Sequence, residues 1–360
     1  MAASNASDAT MRAWQYSKIH NGLENSITLN EASARPPWSP SGKDSKDKVL
    51  VRVHYAALNP VDAKLAEAGL PVRAVISLPA VPGFDFAGVV AGLPDGFNDA
   101  EGKEKYEVGD RVLGRLALQR FGALGEYVTV PRGALAHVPE GVGLDEASCV
   151  GTAATTALQC IAPHVVEGAG DRIFINGGSG GTGTFGVQIG KALGCHVVAS
   201  CSGANADLCR GLGADEVIDY KTQDVCARLR ELAAAADGGK FKLVVDNVGA
   251  SPRDLYKASD DFLVPSGVFV QVGADMSLAG MRNTAARALL PGFLGGGRRK
   301  WLFMVTKDVP EDFARIVGWM ADGKVKAVID EVFEYKDAPK AFAKLKTNRV
   351  KGKVVVKVAE

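Results

Sequence analysis

The alternation of apolar and polar residues changes character once along the chain. In the first third, "KVLVRVHYAALN" follows the two-residue period of a half-buried strand, and "FDFAGVVAGL", "DRVLGRLAL" and "GEYVTVP" repeat it between Gly and Asp punctuation. Short strands divided by turns predict a small barrel-like β domain. The proline-rich, charged stretch 33–48 reads as a surface loop before a strand, and "LPDGFNDAEGKEKYEVGD" as a polar excursion ending in a tight turn at Gly109 and Asp110.

After about residue 140, strands alternate with helices. Strands are predicted at Arg172 to Asn176, His196 to Ser200, Glu216 to Ile218, Lys242 to Asp246 and Val268 to Val272, with helices beginning near Gly183, Ala204, Gln223 and Arg253. That is the βαβ rhythm of a doubly wound parallel sheet. Beyond residue 300, "WLFMV", "PEDFARIVGWMADG", "VKAVIDEVF", "KDAPKAFAKLK" and "GKVVVKV" mix both patterns, as if the chain returned to its first domain. The expected fold class is α/β: a β-rich domain over 1–135 completed by 306–360, and a parallel-sheet domain over 136–305.

The join between one strand and its helix carries the clearest chemistry. "FINGGSGGTGTFGVQIGKALG" places five glycines between Gly177 and Gly183. A strand running through glycines into a helix presents unpaired N–H groups and the positive end of the helix dipole, which suits a pyrophosphate. Glycine is needed because a side chain would hold the phosphate away from the backbone. Gly178, Ser179, Gly180, Gly181, Thr182 and Gly183 are therefore the expected phosphate-binding set of a dinucleotide site.

Charge after the second strand selects the dinucleotide. NAD sites place an acid about 20 residues past the first glycines, yet no acidic residue stands between Asp171 and Asp207. Ser200, Ser202 and Asn205 offer neutral donors there, with Tyr220 after the next strand, so NADPH is the expected cofactor; the serines also read as plain turn formers. Asn247, Val248, Val272 and Gly273 follow predicted parallel strands at their carboxyl ends, where such sheets bind ligands.

Composition removes several partners. The 360 residues are 47% hydrophobic, with 42 basic against 41 acidic groups and a net charge of +1, so no basic face is expected for nucleic acid or anionic lipid. No window reaches the about eighteen apolar residues of a membrane span, and "MAASNASDAT" lacks the features of a signal or transit peptide, which points to the cytoplasm. Six cysteines with no C-x-x-C pair read as reduced structural thiols.

The ordered motifs "ALNPVDAK", "PGFDFAGVV", "VGDRV", "GEYV", "TALQ", "NGGSGGTG", "GADEVIDY" and "KGKVVVKV" make nearly the whole chain resemble the medium-chain dehydrogenase/reductase superfamily. The resemblance implies a GroES-like catalytic domain and a Rossmann domain. In its zinc-dependent members the position of Asn59 holds a cysteine ligand and that of Phe84 a histidine. Neither residue here binds zinc, and 93–125 contains no cysteine for a structural site, so no metal is expected. Without a Lewis acid, polarised alkenes and quinones are easier substrates than plain ketones.

The resemblance is to the zinc-lacking branch: quinone oxidoreductases, enone reductases and the trans-acting enoyl reductases that partner fungal polyketide synthases. It implies an NADPH-dependent reductase of an enone or enoyl thioester, working as a monomer or homodimer, with a polyketide synthase as a partner. Quinone reduction and a non-catalytic NADPH-binding sensor or structural protein are the alternatives. The match puts Lys64 near the nicotinamide, with Pro60 and Asp62 of the same segment as further cofactor candidates, Thr152 and Thr156 beside the nicotinamide or substrate, and Gly352 and Lys353 at the cofactor. Lys64, Asn59, Tyr55 and Thr152 are the catalytic candidates, and Phe293 and Leu294 belong to a substrate flap. Each has a plainer reading: Asn59 and Asp62 as helix caps, Lys64 as a solvated surface group, Tyr55 as packing and the threonines as backbone-bonded.

Overall fold

The computed structural model describes residues 10–68, 76–99, 104–117, 122–235, 239–249, 255–273, 287 and 297–359. Phe293 and Leu294 lie outside the described residues. The chain forms two compact units. One comprises Met1–Ala153, Asp308–Gly323 and Ala327–Glu360; the other comprises Ala154–Lys307 and Lys324–Lys326.

In the first unit a hairpin of β1 (Thr10–Gln15) and β2 (Thr28–Ala34) precedes β3 (Lys48–Leu58), the spine of a seven-stranded sheet. Alternation along β3 sends Val49, Val51 and Val53 into the core. The sheet adds β4 (Asp85–Gly92), β5 (Arg111–Arg115), β6 (Tyr127–Pro131), β7 (Leu135–His137), β14 (Ile329–Glu334) and β15 (Lys353–Lys357) in the order β14-β15-β3-β4-β5-β7, with β6 also on β3. β3 and β4 approach closely: a Cβ at Gly88 would stand 2.0 Å from the Arg52 carbonyl oxygen, so only glycine fits. The helices are α1 (Pro60–Glu67), α2 (Leu144–Ser148), α8 (Pro310–Ala321) and α9 (Ala338–Lys346).

The second unit is a parallel six-stranded sheet of β8 (Arg172–Asn176), β9 (His196–Cys201), β10 (Glu216–Asp219), β11 (Phe241–Asp246), β12 (Leu263–Gln271) and β13 (Lys300–Phe303). Its order, β10-β9-β8-β11-β12-β13, reverses between β8 and β11, which makes their carboxyl ends the ligand-binding switch point. The helices are α3 (Thr155–Ile161), α4 (Gly181–Ala192), α5 (Ala206–Gly211), α6 (Val225–Ala234) and α7 (Leu255–Phe262). Phe174, Val198, Leu229, Phe241, Phe262 and Phe269 centre its core.

Three sequence expectations change. Residues 136–153, assigned to the second domain, stay with the first, because β7 pairs with β5 and α2 packs on β3, β4 and β5. Ser33 and Ala34, read as loop, close strand β2, whose mostly exposed side chains gave no alternation to follow. β12 begins five residues before Val268; Pro265 and Gly267 interrupt its pattern, and its pairing with β11 shifts register there.

Candidate active site

In the second unit β8 ends at Asn176 and turns through Gly177, whose φ of +78° is open chiefly to glycine. Gly178 N–H donates to the Ser200 carbonyl at 2.8 Å and Gly180 N–H to that of Gly177 at 3.2 Å. Helix α4 then starts at Gly181, with no side chain capping its first amides. A Cβ on Gly183 would lie 2.0 Å from the Gly177 oxygen, and one on Gly178 2.9 Å from the Ala199 Cβ. The turn thus brings the backbone close to the uncapped start of a twelve-residue helix, and its residues fit a dinucleotide pyrophosphate. Gly177, left out of the expected phosphate set, makes the turn itself; its position at the head of the cluster was the available signal.

A polar ladder underpins the turn. Ser200 Oγ donates to Asn176 Oδ1 at 2.6 Å and accepts Gly177 N–H at 3.1 Å, and Asn176 Nδ2 donates to Asp246 Oδ1 at 2.8 Å. Asp246 Oδ1 also accepts the Val248 and Gly249 amides, both at 3.1 Å. Ser200 was expected to face the cofactor. It is instead fully buried, with its hydroxyl engaged beneath the turn. Asn247 Nδ2 donates to the Asn176 carbonyl at 3.1 Å while its Oδ1 has no hydrogen-bond partner. Asp246 and Asn176, absent from the candidate list, organise all of this.

Other candidates gather at the same strand ends. Asn205 Nδ2 donates to Ser179 Oγ at 3.1 Å, which joins the glycine turn to the segment after β9. Ser202 caps the short helix Gly203–Asn205 through its carbonyl. Tyr220 follows β10 with 53% exposure, its N–H on the Cys201 carbonyl at 3.2 Å. Gly273 has no room for a side chain, since a Cβ would stand 2.5 Å from the Asn247 oxygen, and Val272 N–H bonds the Asp246 carbonyl at 2.9 Å. Thr156, expected at the nicotinamide, is buried with its hydroxyl 2.5 Å from that of Thr306.

The first unit holds a buried charged cluster. Asn59 precedes α1, and its N–H donates to Asp62 Oδ2 at 2.6 Å, the reciprocal half of a capping box. Its side chain also turns into the charged cluster. Nδ2 donates to Asp85 Oδ2 at 2.8 Å, and Oδ1 accepts the Lys353 ammonium, which also reaches the Leu58 carbonyl at 2.9 Å. Asp85 is 0% exposed and Lys353 2%, with 3.8 Å between their charges. Thr152 Oγ1 donates to Asp85 Oδ1 at 2.6 Å and accepts Arg115 Nε at 3.2 Å, and Arg115 pairs with Asp308 at 2.8 Å.

Lys353, expected at the cofactor, thus has its ammonium enclosed by protein acceptors, and Asn59 and Thr152 are joined through Asp85. The turn before it demands glycine: Gly352 has φ +76°, and a Cβ would lie 2.1 Å from the Val328 oxygen. Lys64 and Pro60 are exposed on α1, and Tyr55 is half-buried on β3. Asp85 and Arg115 escaped selection although both lie inside quoted strands, because alternation marks a face and not a charge network.

Asp62 is buried at 4% exposure, and its Oδ1 has no hydrogen-bond partner. Burial raises its pKa from 3.8 to about 7, with the Asn59 amide and Lys353 opposing the rise and Asp85 adding to it.

A GroES-like β unit and a Rossmann unit with this turn define a nicotinamide-dependent oxidoreductase. Residues 45–140 match the alcohol dehydrogenase GroES-like domain and residues 212–356 the zinc-binding dehydrogenase domain. The chain is 44% identical over 357 residues to the trans-enoyl reductase pgmF of Aspergillus terreus, covering 98% of this chain and 97% of the relative. It is 31% identical to the mitochondrial NAD(P)H oxidoreductase RTN4IP1 of Danio rerio, over 87% of this chain and 84% of that protein. The solved quinone oxidoreductase of Coxiella burnetii superposes with a TM-score of 0.76 at 25% identity, over 97% of this chain and 99% of that one. The chain belongs to the medium-chain dehydrogenase/reductase family, in its enoyl reductase branch.

One matched domain carries zinc in its description, and the residues present do not fit that ion. Asn59 offers an amide already held by an ammonium, and Phe84 offers a hydrocarbon ring. Among the described residues no group of three or more His, Cys, Asp or Glu is placed to hold a metal. Among them, too, no helix is long and apolar enough to cross a membrane.

Proposed function

We propose that the protein is an NADPH-dependent, zinc-independent reductase that saturates an activated carbon–carbon double bond of an enone or enoyl thioester in fungal secondary metabolism. The observation that carries this is the glycine turn from Gly177 to Gly183, leading into an uncapped helix start, in a chain 44% identical to a trans-enoyl reductase. A bound nicotinamide supplies hydride. Gly178 to Gly183 hold the pyrophosphate, and the ladder from Ser200 to Asp246 fixes the turn that presents those amides.

Preference for NADPH is supported by the neutral donors Ser202 and Asn205 after β9 and by Tyr220 and Lys221 after β10. Asp219, one strand over, is tied to the Lys221 amide at 3.0 Å and to that of Gly203. In the first unit Lys64, exposed on α1, is proposed to orient the substrate, with Tyr55 as the candidate proton donor. Asn59 and Thr152 serve by fixing Asp85 and the start of α1. A cytoplasmic setting, a polyketide synthase partner and a monomeric or homodimeric state complete the reading.

Quinone reduction is the second reading, favoured by the likeness to the Coxiella enzyme. Loss of NADPH absorbance with a hexenoyl thioester, a simple enone and menadione separates the two. Consumption with menadione alone overturns the first reading, and NADPH binding without turnover of any of the three overturns both.

A further inference from the structure

Asp62 lines a small pocket in the first unit, walled by Leu65, Ile76, Phe84 and Leu116. Among the described residues the pocket has two polar side chains, Asp62 and Tyr16. Asp62 is more than nine-tenths buried and its Oδ1 meets no donor or acceptor. Tyr16 is 8% exposed; its backbone pairs with Ala80, which orients the ring. Burial raises the pKa of its phenol, so the hydroxyl stays a neutral donor.

A mainly apolar chamber whose polar side chains are a phenol and a carboxyl that donates when protonated suits a hydrophobic ligand with one uncharged acceptor. An anion is penalised by desolvation and, wherever Asp62 is ionised, by that carboxylate. We propose that this pocket seats the uncharged carbonyl of the substrate, with the Tyr16 hydroxyl and the Asp62 carboxyl as its hydrogen-bond donors, so that thioesters and ketones enter and free carboxylic acids are refused. This deepens the reductase reading and rests on it for the identity of the substrate.

Asp62 donates only while protonated. The charged groups facing it are Asp85 on β4 and Lys353 on β15, with the neutral Tyr16 across the pocket. Affinity for a carbonyl therefore declines as pH rises through about 7.

The test is calorimetric titration of the full chain with saturated hexanoyl N-acetylcysteamine thioester, which cannot be reduced, and with hexanoate. Y16F should weaken thioester binding roughly 3–10-fold, the range of one neutral hydrogen bond, and leave NADPH affinity unchanged. D62N, which keeps a donor and cannot ionise, should remove the pH decline. Thioester binding by Y16F equal to wild type, or hexanoate binding as tight as the thioester, overturns the proposal; Y16F leaves the α1 cap intact should D62N fail to fold. Turnover is scored separately. A wild type that discriminates thioester from acid yet consumes no NADPH sinks the reductase reading and supports the pocket, whereas turnover with Y16F indifferent does the reverse.

Discussion

The ammonium of Lys353 and the amide of Asn59, 294 residues apart in sequence, meet in a buried hydrogen bond with the Asp85 carboxylate 3.8 Å from the same ammonium. A positive charge stands beside the position where zinc-dependent relatives carry a thiolate. Removing it leaves Asp85 charged with Asn59 and Thr152 as its side-chain donors among the described residues. K353M should destabilise the protein by about 3–5 kcal/mol, the usual cost of orphaning one member of a buried pair. Urea unfolding of K353M, D85N and the double variant checks it, and the double variant should recover part of the loss.

Gly183 faces the Gly177 oxygen at a distance no Cβ tolerates, whereas a Cβ on Gly180 would meet that oxygen at an ordinary 3.6 Å. G183A should therefore displace the turn and weaken NADPH binding by roughly 100-fold or more, about 3 kcal/mol, within the range of overpacking strain. G180A should change affinity far less. Fluorescence titration of both variants with NADPH reads the contrast.

Ser202 opens the neutral segment after β9. S202D places a carboxylate where the 2′-phosphate is proposed to sit, and should cost roughly 10–100-fold in NADPH affinity through like-charge repulsion while sparing NADH. Equal losses for both coenzymes would mean that Ser202 does not face the ribose.

Asp62 gives stability an unusual pH dependence. Its folded pKa lies above its unfolded one, so the folded chain holds this proton more tightly, and the stabilisation is complete below pH 3.8. It is lost as pH rises to about 7, amounting to up to about 4 kcal/mol across the window. Thermal unfolding of wild type minus D62N should fall between pH 4 and pH 7 and level off above.

Much of the second unit was legible because its signals are local. A short apolar run, Ile173 to Ile175, and the glycines after it dictate strand, turn and helix together, and β8 occupies the predicted Arg172 to Asn176. The first unit was legible as strands and much less so as a site. Asp85, Arg115, Asp308 and Lys353 come from segments far apart in the chain, and no period or spacing links them before the sheet brings β4, β5 and β15 to the same side chains. Ser200 was misread for a related reason: a serine at a strand end looks like a ligand donor until the buried Asn176 beside it is known to need one.

The pairing of β15 with β3 also sets an order of assembly. All of the Rossmann strands are translated between those two partners, so a nascent chain can complete its nucleotide fold while the β-rich half still has an open edge along β3. Until β15 arrives, Asp85 lacks the Lys353 ammonium and that edge lacks its strand partner. Chain order thus leaves the β3 edge without its C-terminal partner for most of synthesis, and an unpaired strand edge is a site for pairing with other chains.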